Sequence, residues 1–262
     1  MSFFGNSFVF DGKPSQVYNI FITNMEGGEN TSSGSSNVSL RTNSIFRRSV
    51  PYFYGSTQDT VLSFRCAVTS PEEILADESR AIQRWLFGHS QYKKLQIVQN
   101  DMEMFYYNCF LTEPETLRIG NQIHGFSFTV VCDAPWAWAY EKSLTKTYAV
   151  ELASESYTFQ NTSDDNDYLY PDFVITMNAF GGYLSLTNNS DNGRIFLIED
   201  LAAGEVLTID NSRGILTSST GLRRLSSFNK NWFRLVSGRN NLVLLGNISS
   251  LVMSYKTARK VG

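Results

Sequence analysis

Helical periodicity appears at one place in this 262-residue chain, and the rest alternates short β-favouring runs with turns. That place is residues 69–88, TSPEEILADESRAIQRWLFG. Ser70 and Glu73 have the S-x-x-E capping-box spacing, and Pro71 suits the first helical position. Gly88 sits where a left-handed C-cap stops a helix, so the expected helix spans 70–87. Ile74, Leu75, Ile82, Trp85 and Leu86 fall on one side of it, and these five are its expected core. Glu72, Asp77, Arg80 and Arg84 fill the other side. Burying each large apolar side chain is worth about 2 kcal/mol, so this face must lie on the flanking strands. A sheet carrying one helix is therefore expected in the first half.

Residues 7–11 and 16–23 read as strands around a turn at Asp11-Gly12-Lys13-Pro14. Residues 26–37, centred on GGENTSSGSSN, are too polar to bury and read as a plain loop rather than an interaction arm. In residues 60–68, Leu62, Phe64, Cys66 and Val68 alternate with Val61, Ser63, Arg65 and Ala67, and the first set is expected to point inward. Residues 94–99 form a short strand, and 104–112 are heavily aromatic. Residues 122–133 alternate again, with Ile123, Phe126, Phe128, Val130 and Cys132 available to an inward face. Strands with this punctuation describe an antiparallel sheet or sandwich.

Residues 134–146 read as a boundary. Pro135 breaks a strand, and a bare linker would not carry Trp136, Trp138 and Tyr140, which are expected to pack at the joint between domains. The expected division is a first domain over 1–135, a linker over 136–146 and a second domain over 147–262. Beyond the linker the texture changes to short β candidates at 147–152, 157–161, 172–177, 183–188, 195–198, 205–210, 214–217, 232–237, 242–245 and 251–256. Asn, Asp, Gly and Ser turns separate them, which is the spacing of a jelly-roll or lectin-type β-sandwich. The fold class is mainly β.

Little in the chain carries chemistry. The formal net charge of −3 with no basic stripe argues against nucleic acid. Nothing approaches the ~20 apolar residues of a membrane span, and no charged-then-apolar start marks a secretory signal. Cys66, Cys109 and Cys132 show no C-x-x-C spacing and fit a reducing place of synthesis. His89 and His124 lie in no metal-type spacing, and no nucleophile motif accompanies them. Glu113 and Glu115, with Asp101 and Glu103 nearby, sit in turns or at strand ends, where solvated acids are ordinary; a wall hydrolase would need two such carboxyls at a set separation. Asp164, Asp165 and Asp167 lack the Gly and Glu of a calcium loop. No catalytic residue, cofactor or metal is expected. Trp232 reads as a sandwich core residue rather than a sugar platform.

Residues 48–137 contain, in order, Pro51-Tyr52-Phe53-Tyr54-Gly55, Leu62-Ser63-Phe64, Trp85-Leu86-Phe87, Tyr92-Lys93-Lys94-Leu95 and Phe105-Tyr106-Tyr107-Asn108. Gly125-Phe126 and Val131-Cys132-Asp133-Ala134-Pro135-Trp136-Ala137 close that run. Gly204, Leu207-Thr208-Ile209-Asp210-Asn211, Phe228-Asn229, Trp232 and Leu235-Val236-Ser237-Gly238-Arg239-Asn240-Asn241 follow in the second half. The ordered set resembles the distal tail protein (Dit) family of long-tailed bacteriophages with a baseplate. The resemblance implies an N-terminal β-sandwich with one helix and an extended hairpin, then a C-terminal galectin-like β-sandwich. It implies a homo-hexameric ring at the virion tail tip, assembled in the host cytoplasm. The ring would join the tail tube protein to the tail-tip hub protein and offer a platform to receptor-binding proteins, with the tape-measure protein as a further neighbour. Trp232 is followed by Phe233 where a galectin has a Trp-Gly pair, so the fold is expected to act as a scaffold.

A ring needs a heterologous interface, and edge strands suit one. Residues 38–53 and 104–111 are the expected edges. The candidate ring-interface residues are Arg47, Arg48, Tyr52, Phe53, Tyr54, Tyr106 and Tyr107, divided between core and interface roles. The leading functional reading is a non-enzymatic structural ring protein. The alternative is a carbohydrate-binding module of a phage adhesion device, and a wall-degrading enzyme stands third.

Overall fold

The computed structural model describes residues 7–24, 38–44, 46, 49–58, 61–99 and 102–260. The chain divides into two compact units between Ala139 and Tyr140, and Arg259 groups again with the first.

The first unit opens with β1 (Phe8–Phe10) and β2 (Lys13–Pro14), then β3 (Phe21–Asn24). The expected strand over 16–23 starts instead with a 3-10 turn at Ser15–Tyr18, ended by Asn19 in the left-handed region. Next come β4 (Val38–Asn43), β5 (Tyr52–Gln58) and β6 (Ser63–Thr69). The helix α1 (Ala76–Phe87) precedes β7 (Lys93–Ile97), β8 (Phe105–Ile119), β9 (Gln122–Cys132) and β10 (Ala137–Ala139). The main sheet is antiparallel in the order β2-β1-β7-β8-β9-β6-β3, with β10 beside the start of β8. Its inward residues follow the alternation of the sequence. Leu62, Phe64, Cys66 and Val68 are buried, as are Phe126, Phe128, Val130 and Cys132, and Ile123 packs against them half-buried.

The helix starts later than its capping box predicts. Residues 70–74 bend against β9 instead: Ser70 N–H donates to the His124 carbonyl and Ile74 N–H to that of Ile123, each at 2.7 Å. The Ser70 hydroxyl accepts from Glu72 N–H, and the Glu73 carboxylate takes the Gln122 amide instead of closing a box. These tertiary bonds override the local signal. Leu75 becomes the N-cap in extended conformation and is 66% exposed, so it is not a core residue as expected. Ile74, Ile82 and Leu86 are buried, and Trp85 is half-buried against the same core. Gly88 is not left-handed either, with φ −83°. It is glycine because an added Cβ would lie 2.4 Å from the Arg84 carbonyl oxygen.

The second unit contains β11 (Lys142–Thr147), β12 (Ala153–Asn161), β13 (Asp172–Met177), β14 (Gly182–Asn188), β15 (Arg194–Leu201), β16 (Val206–Asp210), β17 (Ile215–Ser218), β18 (Gly238–Gly246) and β19 (Ile248–Tyr255). Among the described residues they form two antiparallel sheets, β11-β19-β13-β16-β17 and β12-β18-β14-β15. Phe173, Ile175, Leu207, Ile209, Leu251 and Met253 come from one sheet. They share a core with Leu184, Leu186, Phe196, Ile198, Leu242 and Leu244 from the other.

Residues 136–146 are not a linker. Ala137–Ala139 pairs with β8, and Lys142–Thr147 is a full edge strand on β19. The polar, Lys-rich β11 alternates only on an edge, which hides it from an apolar pattern. Residues 148–152 are correspondingly not a strand, and 232–237 contributes only an isolated bridge between Leu235 and Leu169.

Candidate assembly interface

Three of the seven expected interface residues, Tyr52, Phe53 and Tyr54, lie on the hairpin β4–β5. This is a two-stranded sheet of its own, hydrogen-bonded to no other strand among the described residues. Its register runs from Val38 opposite Gln58 to Asn43 opposite Tyr52. A bulge falls between Arg41 and Thr42, facing Gly55 at φ 123°, a conformation open to glycine. Phe53 and Tyr54 are 65% and 66% exposed, with Leu40 equally exposed across the ladder. Tyr52 is less exposed, and its ring centroid is 6.5 Å from that of Tyr54. Phe46 and Val50, between the strands, are exposed as well. A two-stranded hairpin alone is marginal in water. Arg47 and Arg48, and the polar segment 26–37, lie outside the described residues.

Tyr106 and Tyr107 are not interface residues. Tyr106 pairs with Trp138 of β10 and Tyr107 with Leu95 of β7, so this part of β8 is interior rather than an edge. Tyr107 is 1% exposed and packs edge-on against Phe64 at 5.5 Å. Tyr106 is buried under the Lys94 ammonium, 4.7 Å from its ring. Run length and aromatic content alone do not separate a central strand from an edge.

The far part of the β8–β9 ladder, from Glu113 to Gln122, forms a second exposed element. Ile119 is exposed at its end. Glu113 adopts φ 52° beside Pro114, and the register shifts there between Thr112 and Glu115. Glu113 and Glu115 make side-chain hydrogen bonds to neighbouring strands. Glu115 accepts from Arg65 at 2.6 Å and from Ser127 at 3.1 Å, and Glu113 accepts from Thr129 at 2.8 Å. Asp101 lies outside the described residues, and Glu103 presents its carbonyl to Gln96. His89 sits against the Trp85 carbonyl, and the Asp165 carboxylate accepts from Asp167 N–H. No cluster of metal-ligating side chains occurs among the described residues.

Trp136 and Trp138 belong to the first unit and meet edge-on at 5.8 Å, with the Trp138 indole donating to Asp133. Tyr140 opens the second unit.

Two buried ion pairs organise the second unit, and the sequence reading missed both because their partners are far apart in the chain. Glu205 has no exposed side-chain surface. It receives Arg224 through Nε at 2.8 Å and Nη2 at 2.6 Å, the Ser218 hydroxyl, and the Ala202 N–H at 2.7 Å. Burial opposes its charge, but these donors outweigh burial and hold the carboxyl below its ordinary range. Asp191 receives Arg234 at 2.7 and 3.1 Å, while the guanidinium lies 3.7 Å over the Tyr168 ring. That pair borders a cleft of about 510 Å³ also lined by Asn192, Arg194, Ile195, Asn229 and Asn231. Trp232 packs against Phe228 at 4.8 Å and beside Gly214, and its carbonyl accepts from Arg194 Nε at 3.0 Å.

A family model described as a phage tail protein N-terminal domain matches residues 3–134, and one described as a phage tail C-terminal domain matches residues 138–255. No curated protein matches the chain. The crystal structure of the Dit protein (gp 19.1) of phage SPP1, described as a paradigm of the hub adsorption apparatus in Gram-positive infecting phages, is similar in fold. The likeness covers 96% of this chain and 98% of that one, with a TM-score of 0.69 at 11% identity. A chain of the phage p2 baseplate in its activated conformation with Sr is similar over 98% of this chain and 99% of its own, with a TM-score of 0.54 at 8% identity. At these identities the likeness is one of fold.

Proposed function

This chain belongs to a family of phage tail proteins with an N-terminal and a C-terminal domain, and from that premise we propose that it is a structural ring protein of the tail tip. Six copies form a closed ring that joins the tail tube to the tail-tip hub and gives host-adsorption proteins a platform. The protein performs no catalysis in this role. The observation that carries the reading is the hairpin β4–β5, a free-standing two-stranded sheet with Leu40, Phe53 and Tyr54 exposed. A heterologous ring contact uses one patch of a subunit on a different patch of the next, and a projecting apolar hairpin is such a patch. The fold shared with a hub protein and a baseplate chain supports the same reading. Native mass spectrometry of the full-length protein tests it. A dominant species of six subunits is expected at high concentration, and a strictly monomeric protein at every concentration would overturn it.

The cleft bordered by Arg194, Asn229, Asn231 and the Asp191–Arg234 pair favours a second reading, a saccharide-binding module. Planar amide and guanidinium groups suit sugar hydroxyls, although no aromatic side chain lines the cleft for stacking. A glycan array probed with the full chain and with its Asn231→Ala variant separates the two: the scaffold reading expects no glycan signal, and the module reading a signal lost in the variant.

A further inference from the structure

We infer that Cys109 and Cys132 form a disulfide across β8 and β9 once the protein meets an oxidising medium. The two residues are direct partners in the antiparallel ladder. The surrounding bonds fix which type of pair they make. Asp133 N–H donates to the Asn108 carbonyl at 2.9 Å, and Cys132 N–H turns the other way, to the Leu62 carbonyl just before β6, at 2.8 Å. Cys109 and Cys132 are therefore a non-hydrogen-bonded pair, whose Cα atoms stand about 4.5 Å apart with both side chains on one face. A disulfide spans Cα separations of about 4.4–6.8 Å, so the backbone is already in place. Both thiols are free and buried. Cys66 is a built-in control, because its ladder partner is Phe128 rather than a cysteine.

With hydrogen peroxide as oxidant, one thiolate attacks a peroxide oxygen and the O–O bond breaks, leaving a sulfenic acid and, after protonation, water. The second sulfur then attacks the sulfenic sulfur and expels a second water. Two thiols and one peroxide thus give one disulfide and two waters, and the sulfurs lose two electrons. Burial pushes the Cys132 thiol up to about 12 and raises Cys109 well above its ordinary value, so little thiolate exists at neutral pH. The pair consequently stays reduced through folding in a reducing cytoplasm and closes slowly afterwards. The chemistry rests on the ladder register. Its biological occasion, release of a virion from the cell, rests on the tail-tip reading.

The test oxidises the purified full chain with hydrogen peroxide and maps its thiols after unfolding. The expected result is a fall from three free thiols to one, a mass loss of two hydrogens, and a linked peptide pair containing Cys109 and Cys132. The first unit should then melt higher by roughly 5–10 °C, a shift reversed by reductant. The Cys66→Ser variant should behave like the parent, and Cys132→Ser should not cross-link within the chain. A linkage through Cys66, disulfides only between chains, or sulfinic acids without any Cys109–Cys132 bond would overturn the inference whatever the oligomeric state.

Discussion

The Trp85 indole donates its Nε1–H to the main-chain carbonyl of Phe10 at 3.0 Å, so the helix is bonded to the first strand across 75 residues of chain. The ring also stacks on Phe8 with centroids 5.8 Å apart and planes 3° from parallel. Trp85→Ala removes the stack and leaves the carbonyl without its donor, and should cost the first unit about 3–5 kcal/mol. Trp85→Phe keeps much of the packing and should cost about 1–2 kcal/mol. Urea unfolding of the full chain should show the first unit's transition moving and the second staying still. An unmoved first transition would mean that α1 is not anchored by this residue.

The Glu205–Arg224 pair makes the second unit acid-sensitive. The folded Glu205 carboxyl lies below its ordinary range, whereas an unfolded Glu titrates near about 4.3. Its contribution is therefore fully present above that value and lost as pH falls through the folded pKa. Glu205→Gln leaves the Arg224 charge buried without its counter-charge and should cost about 3–5 kcal/mol near neutral pH. The variant's unfolding midpoint should also fall less steeply between neutral and acid pH than the parent's. Parallel pH profiles would show that the pair is not the acid-labile element.

The hairpin separates assembly from folding. Phe53 and Tyr54 are exposed within the chain, so Phe53→Asp with Tyr54→Asp should leave the melting temperature within about 2 °C of the parent, as surface changes do. Higher-order species should disappear from native mass spectra of the double variant. Unchanged assembly would move the interface elsewhere on the first unit.

Glu113 and Glu115 serve the β8–β9 ladder, and their chemistry can be tested by removal. Arg65 and Glu115 form a solvent-exposed pair, worth about 0–1 kcal/mol. Glu113→Gln with Glu115→Gln should therefore fold and assemble like the parent, and neither protein should release fragments from purified bacterial cell wall. Lysis by the parent that vanishes in the double variant would point to an enzyme.

Much of this fold was legible because alternation in a half-buried strand is a direct imprint of its two faces. Leu62, just before β6, and Phe64, Cys66 and Val68 within it showed their buried side from the pattern alone. The misses share one cause, which is that a long-range partner decided the outcome. Ser70 carried a capping box, but His124 and Ile123 claimed the backbone that would have begun the helix. Tyr106 and Tyr107 belong to an aromatic run that reads the same at an edge or in the middle of a sheet, and only the pairing of β7 and β10 resolves it. Glu205 and Arg224 are ordinary residues until the turn after β17 brings them together. The run Tyr52–Tyr54 reads as surplus aromatics in the sequence, but the separate two-stranded sheet that leaves these side chains exposed does not show in it.

The two units should divide the work of assembly. Pro135 looks like the natural cut, but Ala137–Ala139 pairs with β8 through Trp138 and Ala139, so a first fragment must run to Ala139 to keep that edge. Residues 140–258 hold both sheets of the second sandwich and should fold alone. The hairpin and the exposed β8–β9 end both lie in the first unit. Each contact around a ring is weak, but closure makes the last contact intramolecular, so full rings prevail over partial arcs. The 1–139 fragment should therefore form oligomers at high concentration, and the 140–258 fragment should remain monomeric. Native mass spectrometry of both fragments, with circular dichroism to show that each is folded, decides the matter. A folded monomeric first fragment beside an oligomeric second one would place the interface on the other unit.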